Sequence, residues 1–165
     1  MPDGNPVDTI KFTLDGKEVH ALPGETIWQV AKREGTTIPH LCHADEPGYR
    51  SDGNCRACMV EVEGERTLVA SCIREPRDGM VVSAGSERAD KARKTVMQLL
   101  VADQPERDMA HDRSSHLWDM AEMQGGTAGR CPAIEECRGP LLDDSLVAMR
   151  VNLDAGIQCN LCVRA

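Results

Sequence analysis

The sequence predicts an α+β fold, in which a small mixed sheet carries one helix within roughly the first 80 of the 165 residues. Short segments that alternate apolar and polar residues predict the strands, and one segment with helical periodicity lies among them. Hydrophobic residues make up 41% of the chain, which is enough for a core. Aromatic residues make up only 2%, so that core must be mostly aliphatic.

The sheet begins with a predicted hairpin over residues 7–19, because Asp15-Gly16 is a strong signal for a tight turn between two strands. A short helix follows, which opens at Pro23-Gly24-Glu25-Thr26 and ends at Gly35. Residues 43–54 are predicted to be loop, because proline, glycine and asparagine recur there. Three further strands are predicted at residues 59–63, 68–70 and 80–82.

A longer amphipathic helix is predicted from Ser86 to Asp103, and Pro105 ends it. Residues 104–150 are polar and contain several glycines, so they are predicted to be a loop-rich linker. The apolar stripe of the helix is predicted to consist of Ala92, Val96, Leu99 and Leu100. The charged side chains predicted to point outward are Lys91, Arg93 and Lys94.

The net charge of −8 argues against nucleic acid or an anionic membrane as the main partner, and a solvated acidic surface explains it equally well. The N-terminus shows no secretory signal, and no apolar stretch is long enough to cross a bilayer. Eight cysteines without a secretion signal indicate a reducing compartment, where cysteines bind metals or do redox work more often than they form disulfides. We therefore expect a cytoplasmic location.

Four cysteines, Cys42, Cys55, Cys58 and Cys72, have the spacing C-x12-C-x2-C-x13-C within one compact segment. Four thiolates are the complete ligand set of a [2Fe–2S] cluster, which moves single electrons. The spacing leaves a structural zinc site, a disulfide pair and buried free thiols as alternatives. Zinc sites more often show two C-x2-C pairs, whereas only one is present here.

The residues around these cysteines suit a cluster. Gly53 and Ala57 are small, so the chain can approach the inorganic sulfides closely, and backbone N–H groups there can donate to sulfur. His40 and His43 flank Cys42, but four cysteines already complete the site, so we interpret both histidines as loop residues.

Three segments carry a resemblance to a known family: residues 38–43 (Ile-Pro-His-Leu-Cys-His), 53–62 (Gly-Asn-Cys-Arg-Ala-Cys-Met-Val-Glu-Val) and 70–72 (Ala-Ser-Cys). They resemble the ferredoxin-like N-terminal domain of the large iron–sulfur subunits of NAD-linked redox complexes. That group includes NAD-dependent molybdenum or tungsten formate dehydrogenases, NAD-reducing hydrogenases and respiratory complex I. The resemblance implies a β-grasp domain over residues 1–84 with a [2Fe–2S] cluster on the four cysteines.

Residues 102–105, 151–155 and 160–165 look most like the α subunit of the formate dehydrogenases. That resemblance implies an iron–sulfur relay between a formate-oxidising molybdopterin centre, with molybdenum or tungsten, and FMN and NAD. The implied partners are flavin- and NAD-binding diaphorase subunits and the rest of the catalytic subunit. An electron-transfer subunit of a hydrogenase or of a complex I-like enzyme is the alternative. A zinc-stabilised domain that docks other subunits is the alternative from another class. In every case this chain alone carries no substrate chemistry.

The chain departs from the complex I pattern after the long helix, where relatives continue with a His-Pro and a histidine- and cysteine-bound [4Fe–4S] site. Gln104-Pro105 stands in place of His-Pro, and the three cysteine positions fall on Asp108, His111 and Leu117. We therefore predict no cluster within residues 85–150. His111 and His116 are interpreted as solvated loop residues.

Residues 151–165 resemble the start of a ferredoxin-type C-x2-C-x2-C-x3-C motif. Cys159 and Cys162 match it, Gly156 occupies the first cysteine position, and the fourth would follow Ala165. We expect an incomplete [4Fe–4S] motif in a truncated module, with the cluster present in an intact protein. Cys131 and Cys137 match nothing in the family. With Cys159 and Cys162 they would make four ligands for a second metal site, but we interpret them as free cysteines.

Overall fold

The computed structural model describes residues 9–44, 46–110, 112–126, 142–152, 156–157 and 159–164. Five strands form one mixed sheet in the order β2-β1-β5-β3-β4. The strands of this sheet are β1 (Ile10–Leu14), β2 (Lys17–Ala21), β3 (Met59–Val62), β4 (Val69–Ala70) and β5 (Val81–Ser83). The central pair, β1 and β5, is parallel, and all other pairs in the sheet are antiparallel. The α+β prediction is confirmed.

The β1–β2 hairpin turns at the predicted Asp15-Gly16 pair, where both residues have positive φ, 48° and 81°. Two positive φ values in a two-residue loop match the right-handed twist of the strands on either side. The Asp15 carboxylate also accepts hydrogen bonds from the backbone N–H groups of Ala84 (2.7 Å) and Gly85 (3.3 Å). The turn is thereby fastened to the chain that leaves β5.

Helix α1 (Ile27–Arg33) begins at the predicted position, because Thr26 and Gln29 form a capping box. Its first two N–H groups have partners in the segment that follows β4: Ile27 donates to the Arg74 carbonyl at 2.8 Å, and Trp28 to the Ser71 carbonyl at 3.0 Å. A helix leaves its first N–H groups without partners inside the helix, so these bonds fix α1 against that segment. Its apolar face packs on the sheet to form the first core.

Helix α2 (Glu87–Ala102) starts at Ser86 as predicted, and the Ser86 hydroxyl caps it. The predicted apolar stripe is wrong, because the buried face of α2 is turned by about one residue from it. The buried residues are Ala89, Arg93 and Met97. Leu99 is 54% exposed, although we expected it in the core. Arg93, expected to point outward, is buried because its guanidinium group finds acceptors inside the fold.

The linker prediction for residues 104–150 is wrong where the structure describes regular elements. Helix α3 (His116–Met123) packs on α2, and strands β6 (Leu142–Leu146) and β7 (Met149–Asn152) form a separate hairpin. A short 3₁₀ helix (Arg107–Met109) precedes α3, and helix α4 (Leu161–Arg164) follows the second hairpin. Two aspartates and a serine occupy β6, so its composition hid the strand. Gly129 lies outside the described residues.

The short helix α3 ends where Gly126 approaches α2 closely: a Cβ atom added there would stand 2.7 Å from the Met97 Cβ. Only glycine fits that approach, so the pair of glycines predicted to be loop is a helix terminus. Among the helices that the structure describes, none combines the length and apolar character required of a membrane-spanning segment.

Candidate metal centre

The structure brings the four cysteines Cys42, Cys55, Cys58 and Cys72 to one end of the sheet, and all are buried, at 0, 8, 1 and 1% exposure. Cys58 directly precedes β3, and Cys72 follows β4. Cys42 and Cys55 stand on either side of the predicted loop of residues 43–54, in a second apolar core with Leu41, Ala57, Met97, Leu117 and Met120. The site therefore sits between the two cores.

Strands β3 and β4 hold Cys58 and Cys72 together, since the adjoining residues Met59 and Ala70 are direct partners in the ladder. Ser71, which stands between Ala70 and Cys72 in the chain, is fully buried. Its backbone N–H (3.1 Å) and its hydroxyl (2.8 Å) both donate to the Cys58 carbonyl oxygen. Ser71 was not among the site residues predicted from the sequence. A hydroxyl residue placed directly before a candidate ligand was the available signal.

Cys42 and Cys55 face each other through reciprocal hydrogen bonds, in which each backbone N–H donates to the sulfur of the other residue at 3.4 Å. The Ala57 N–H also donates to the Cys55 sulfur, at 3.5 Å. Gly53 and Arg56 have φ values of 66° and 58°, so the chain takes a left-handed conformation on both sides of Cys55. These turns wrap backbone donors around the sulfur atoms, as expected for a cluster-binding loop.

Contacts among the thiols shift their pKa values. Hydrogen bonds from the Cys55 and Cys72 thiols lower the pKa of Cys42 to about 2, and one from Cys72 lowers the pKa of Cys58 to about 7. The pKa values of Cys55 and Cys72 rise, chiefly because both thiols donate to Cys42. Cys42 contacts both Cys55 and Cys72, and Cys72 also contacts Cys58, so the four sulfur atoms converge.

The donor set fits a [2Fe–2S] cluster. Such a cluster has two iron atoms, and the cysteines form two pairs, Cys42 with Cys55 and Cys58 with Cys72. In the described ranges, no three histidine, cysteine, aspartate or glutamate side chains surround one point as the ligands of a single metal ion would. A binuclear cluster does not require that single-ion arrangement. All four cysteines would bind the iron atoms as thiolates, and the backbone N–H groups at Cys42 and Cys55 stabilise negative charge there.

Comparison with known proteins identifies the first half of the chain. Residues 7–87 match the family described as a 2Fe-2S iron-sulfur cluster binding domain. This segment is a [2Fe–2S] domain of the ferredoxin type. The match includes all four converging cysteines, and its end at residue 87 coincides with the start of α2.

The chain is homologous to subunits of large redox enzymes. The mitochondrial 78 kDa subunit of NADH-ubiquinone oxidoreductase from Neurospora crassa is 33% identical over 94% of this chain and 21% of that protein. A subunit of the NADH-quinone oxidoreductase from Rickettsia bellii is 30% identical over 94% of this chain and 22% of its own length. This chain thus spans about a fifth of the length of these relatives.

Hydrogenase subunits are also similar. The NADP-reducing hydrogenase subunit HndD of Solidesulfovibrio fructosivorans is 39% identical over 58% of this chain and 17% of that protein. A crystal structure of an NAD+-reducing [NiFe]-hydrogenase in the H2-reduced state aligns with a TM-score of 0.79 at 30% identity. That alignment covers 94% of this chain and 65% of the other, so the similarity extends beyond the [2Fe–2S] domain.

The histidines near the [2Fe–2S] domain's cysteines pack around Trp28. The ring centroids of His40 and His43 lie 4.6 and 4.4 Å from that of Trp28, and His43 Nδ1 lies 2.5 Å from the Ser51 hydroxyl. Burial is the main cause that lowers the pKa of His40, and the charge of His116 adds to it.

His116 was interpreted as a solvated loop residue, and this is wrong in part. The side chain is exposed, but the residue begins α3, and its Nε2 donates to the His40 carbonyl at 2.8 Å. Ser115, one residue earlier, was a usable signal for a helix start. His111 lies outside the described residues.

The structure also places the remaining candidate residues. Leu117, at a position where the complex I pattern has cysteine, is buried in the second core, and Asp108 lies in the 3₁₀ helix. Cys159 is partly buried against that core, whereas Cys162 is exposed on α4. Cys159 and Cys162 match the predicted ferredoxin-type motif in sequence, and their role as cluster ligands stays a prediction. Cys131 and Cys137 lie outside the described residues.

Two departures from the family pattern meet in space, because the Gln104 side chain donates to the Gly156 carbonyl at 3.3 Å. Next to this contact lies a cavity of about 750 Å³, whose lining includes Leu41, His116 and Cys159.

Proposed function

We propose that this chain is a one-electron relay of an NAD-linked oxidoreductase. The observation that carries the proposal is the convergence of four buried thiols, with backbone N–H groups directed at their sulfur atoms. The homology to subunits of NADH- and hydrogen-linked enzymes supports the same role. Cys42, Cys55, Cys58 and Cys72 are the proposed ligands of a [2Fe–2S] cluster.

When bound, the cluster would supply reversible uptake of one electron, at about −400 mV for a plant-type centre. The protein's part is to exclude water and hold the ligands. The two cores bury the thiols, Ser71 fixes Cys58, and the N–H groups of Cys42, Cys55 and Ala57 stabilise negative charge on sulfur. A rigid, dry site changes little on reduction, which favours fast electron exchange.

Within this class, we propose the iron–sulfur region of the α subunit of an NAD-dependent formate dehydrogenase. The segments at residues 102–105 and 151–165 support this assignment. Leu117, which is buried in the second core, and Asp108, which lies in the 3₁₀ helix, stand in place of cysteines and argue against the complex I pattern. Electrons would pass from a molybdenum or tungsten molybdopterin centre towards FMN and NAD on a diaphorase subunit. A hydrogenase or complex I-like enzyme fits the similarities comparably and would use the relay in the same way.

The domain limits proposed from the sequence accompany this function. Residues 1–84 would form the [2Fe–2S] domain, residues 85–150 a connecting region, and residues 151–165 the beginning of a ferredoxin-type motif. In that motif Cys159 and Cys162 would serve a [4Fe–4S] cluster of the intact protein. A cytoplasmic location is part of the same proposal.

The deciding experiment is anaerobic purification and reconstitution with iron and sulfide. We expect equal amounts of iron and acid-labile sulfide, two of each per chain, and a paramagnetic signal on reduction. Cys58→Ser should abolish the signal. Cys162 is exposed and serves as the matched control, so Cys162→Ser should leave the signal unchanged. A colourless protein that contains zinc and no sulfide would favour the docking-domain alternative. The co-purifying partner subunit, formate dehydrogenase, hydrogenase or respiratory, then decides the enzyme.

A further inference from the structure

Arg93 is a buried cation that the relay role leaves unexplained. The residue is 4% exposed, in the middle of α2. Its Nη1 donates to the Met59 carbonyl at 2.9 Å, and its Nη2 to the Asp90 carboxylate. Its Nε is buried and has no hydrogen-bond partner among the described residues. A buried charge is costly unless it is compensated, so its retention here calls for a compensating negative charge.

The only described ion pair of Arg93 compensates it poorly. The Arg93 side chain is 5% exposed, whereas that of Asp90 is 57% exposed, so water screens the carboxylate and not the guanidinium. Arg74, two residues after Cys72, pairs with Glu65, and both side chains are about equally exposed, at 29 and 33%. Arg56, between Cys55 and Cys58, is exposed to water. Arg93 is therefore a buried positive charge that no equally buried negative charge among the described residues balances.

The field of this charge reaches the thiols. Met59 directly follows Cys58, so the guanidinium lies no more than about 12 Å from the Cys58 sulfur, given the dimensions of the backbone. Met97, one turn further along the same face of α2, packs in the core that contains Cys42 and Cys55. Arg93 thus occupies the side of α2 that faces the cysteines.

We propose that Arg93 raises the reduction potential of the cluster. The inference rests on the proposed function, since it requires a [2Fe–2S] cluster on the four cysteines. Reduction adds one negative charge to a cluster that is already anionic, so a nearby buried cation stabilises the reduced form more than the oxidised form. At about 12 Å and an effective dielectric constant of about 20, one unit charge changes an equilibrium constant about tenfold.

The test is the reduced-to-oxidised ratio of the cluster in the full chain, followed by its paramagnetic signal at fixed solution potentials. Arg93→Gln removes the charge but keeps a donor for the Met59 carbonyl. We expect the ratio to fall about tenfold, which is 59 mV for a one-electron couple. Arg93→Lys keeps the charge and should stay within about twofold of the wild type.

Arg88→Gln is the matched control. Arg88 is on the same helix and also contacts β3, through Glu61 at 3.2 Å, but its side chain is 49% exposed. Removing this screened charge should change the ratio by less than about twofold. Asp90→Asn leaves Arg93 in place and removes a carboxylate that is 57% exposed and screened by water, so the ratio should again change by less than about twofold.

The outcomes separate the two proposals. A wild-type chain with no [2Fe–2S] signal overturns the proposed function and this inference with it. A wild-type cluster with an unchanged ratio in Arg93→Gln, or an Arg93→Lys variant that loses as much as Arg93→Gln, overturns the inference alone. If Arg93→Gln does not retain its cluster, Arg93→Met, which also removes the charge but keeps an unbranched side chain, decides: a ratio about tenfold below that of the wild type supports the role of Arg93, and an unchanged ratio refutes it.

Discussion

Met97 tests the packing that encloses the candidate cluster site. Its side chain is fully buried in the second core, which also contains Cys42 and, from α3, Leu117 and Met120. Met97→Ala would leave a cavity there. Because Gly126 already approaches the Met97 Cβ closely, the surrounding backbone has little room to collapse further. We expect a loss of about 3 kcal/mol in the free energy of unfolding, within the range of about 2 to 5 for such substitutions.

Leu99→Ala is the control on the same helix. Leu99 is half-exposed in the structure, so its truncation should cost less than about 0.5 kcal/mol. Thermal unfolding of the cluster-loaded chain, followed by circular dichroism, measures both variants. A loss of about 3 kcal/mol corresponds to a fall of about 6 to 12 °C in Tm for a chain of this size. If Leu99→Ala proves as damaging as Met97→Ala, the orientation of α2 described here is wrong.

Three further substitutions probe the site and its supports. Ser71→Ala removes one of two hydrogen bonds to the Cys58 carbonyl and should cost about 1 kcal/mol in urea unfolding; a neutral result would mean that the hydroxyl bond does not form. Gly53→Ala forces a side chain into φ 66° and should cost about 1 to 2 kcal/mol, with faster cluster loss in a chelator assay; unchanged stability would contradict the left-handed loop. The hydrogen bond from Lys17 lowers the pKa of Glu34. At a pH above the usual carboxyl pKa, the wild type should therefore be more stable than Glu34→Gln. That advantage should vanish as the pH falls through the lowered pKa, and a wild-type advantage that persists in strong acid would refute the pair.

Local signals in the sequence predicted the [2Fe–2S] domain well. Asp15-Gly16 requires a tight turn, Thr26 and Gln29 begin a helix, and alternating residues mark β3. The spacing of the cysteines led to the candidate site, and the structure brings those four thiols together. These features are decided by residues close together in the chain, so one sequence is enough to find them.

Features that depend on distant partners were not predictable in this way. The burial of Arg93 depends on the Met59 carbonyl, an acceptor on a strand more than thirty residues away. Helix α3 is only eight residues long and gains its stability from packing on α2. The position of β3 decides which face of α2 is buried. The helical periodicity of the sequence alone does not distinguish between orientations of α2 that differ by one residue of rotation.

The parallel pairing of β1 with β5 bears on how the protein is made in the cell. All four cysteines lie on the chain between these strands, so the central pair closes around a long segment, and such non-local contacts form slowly. During that interval the thiols of a newly made chain are accessible both to iron–sulfur donors and to oxidants. We expect cluster delivery to compete with the docking of β5.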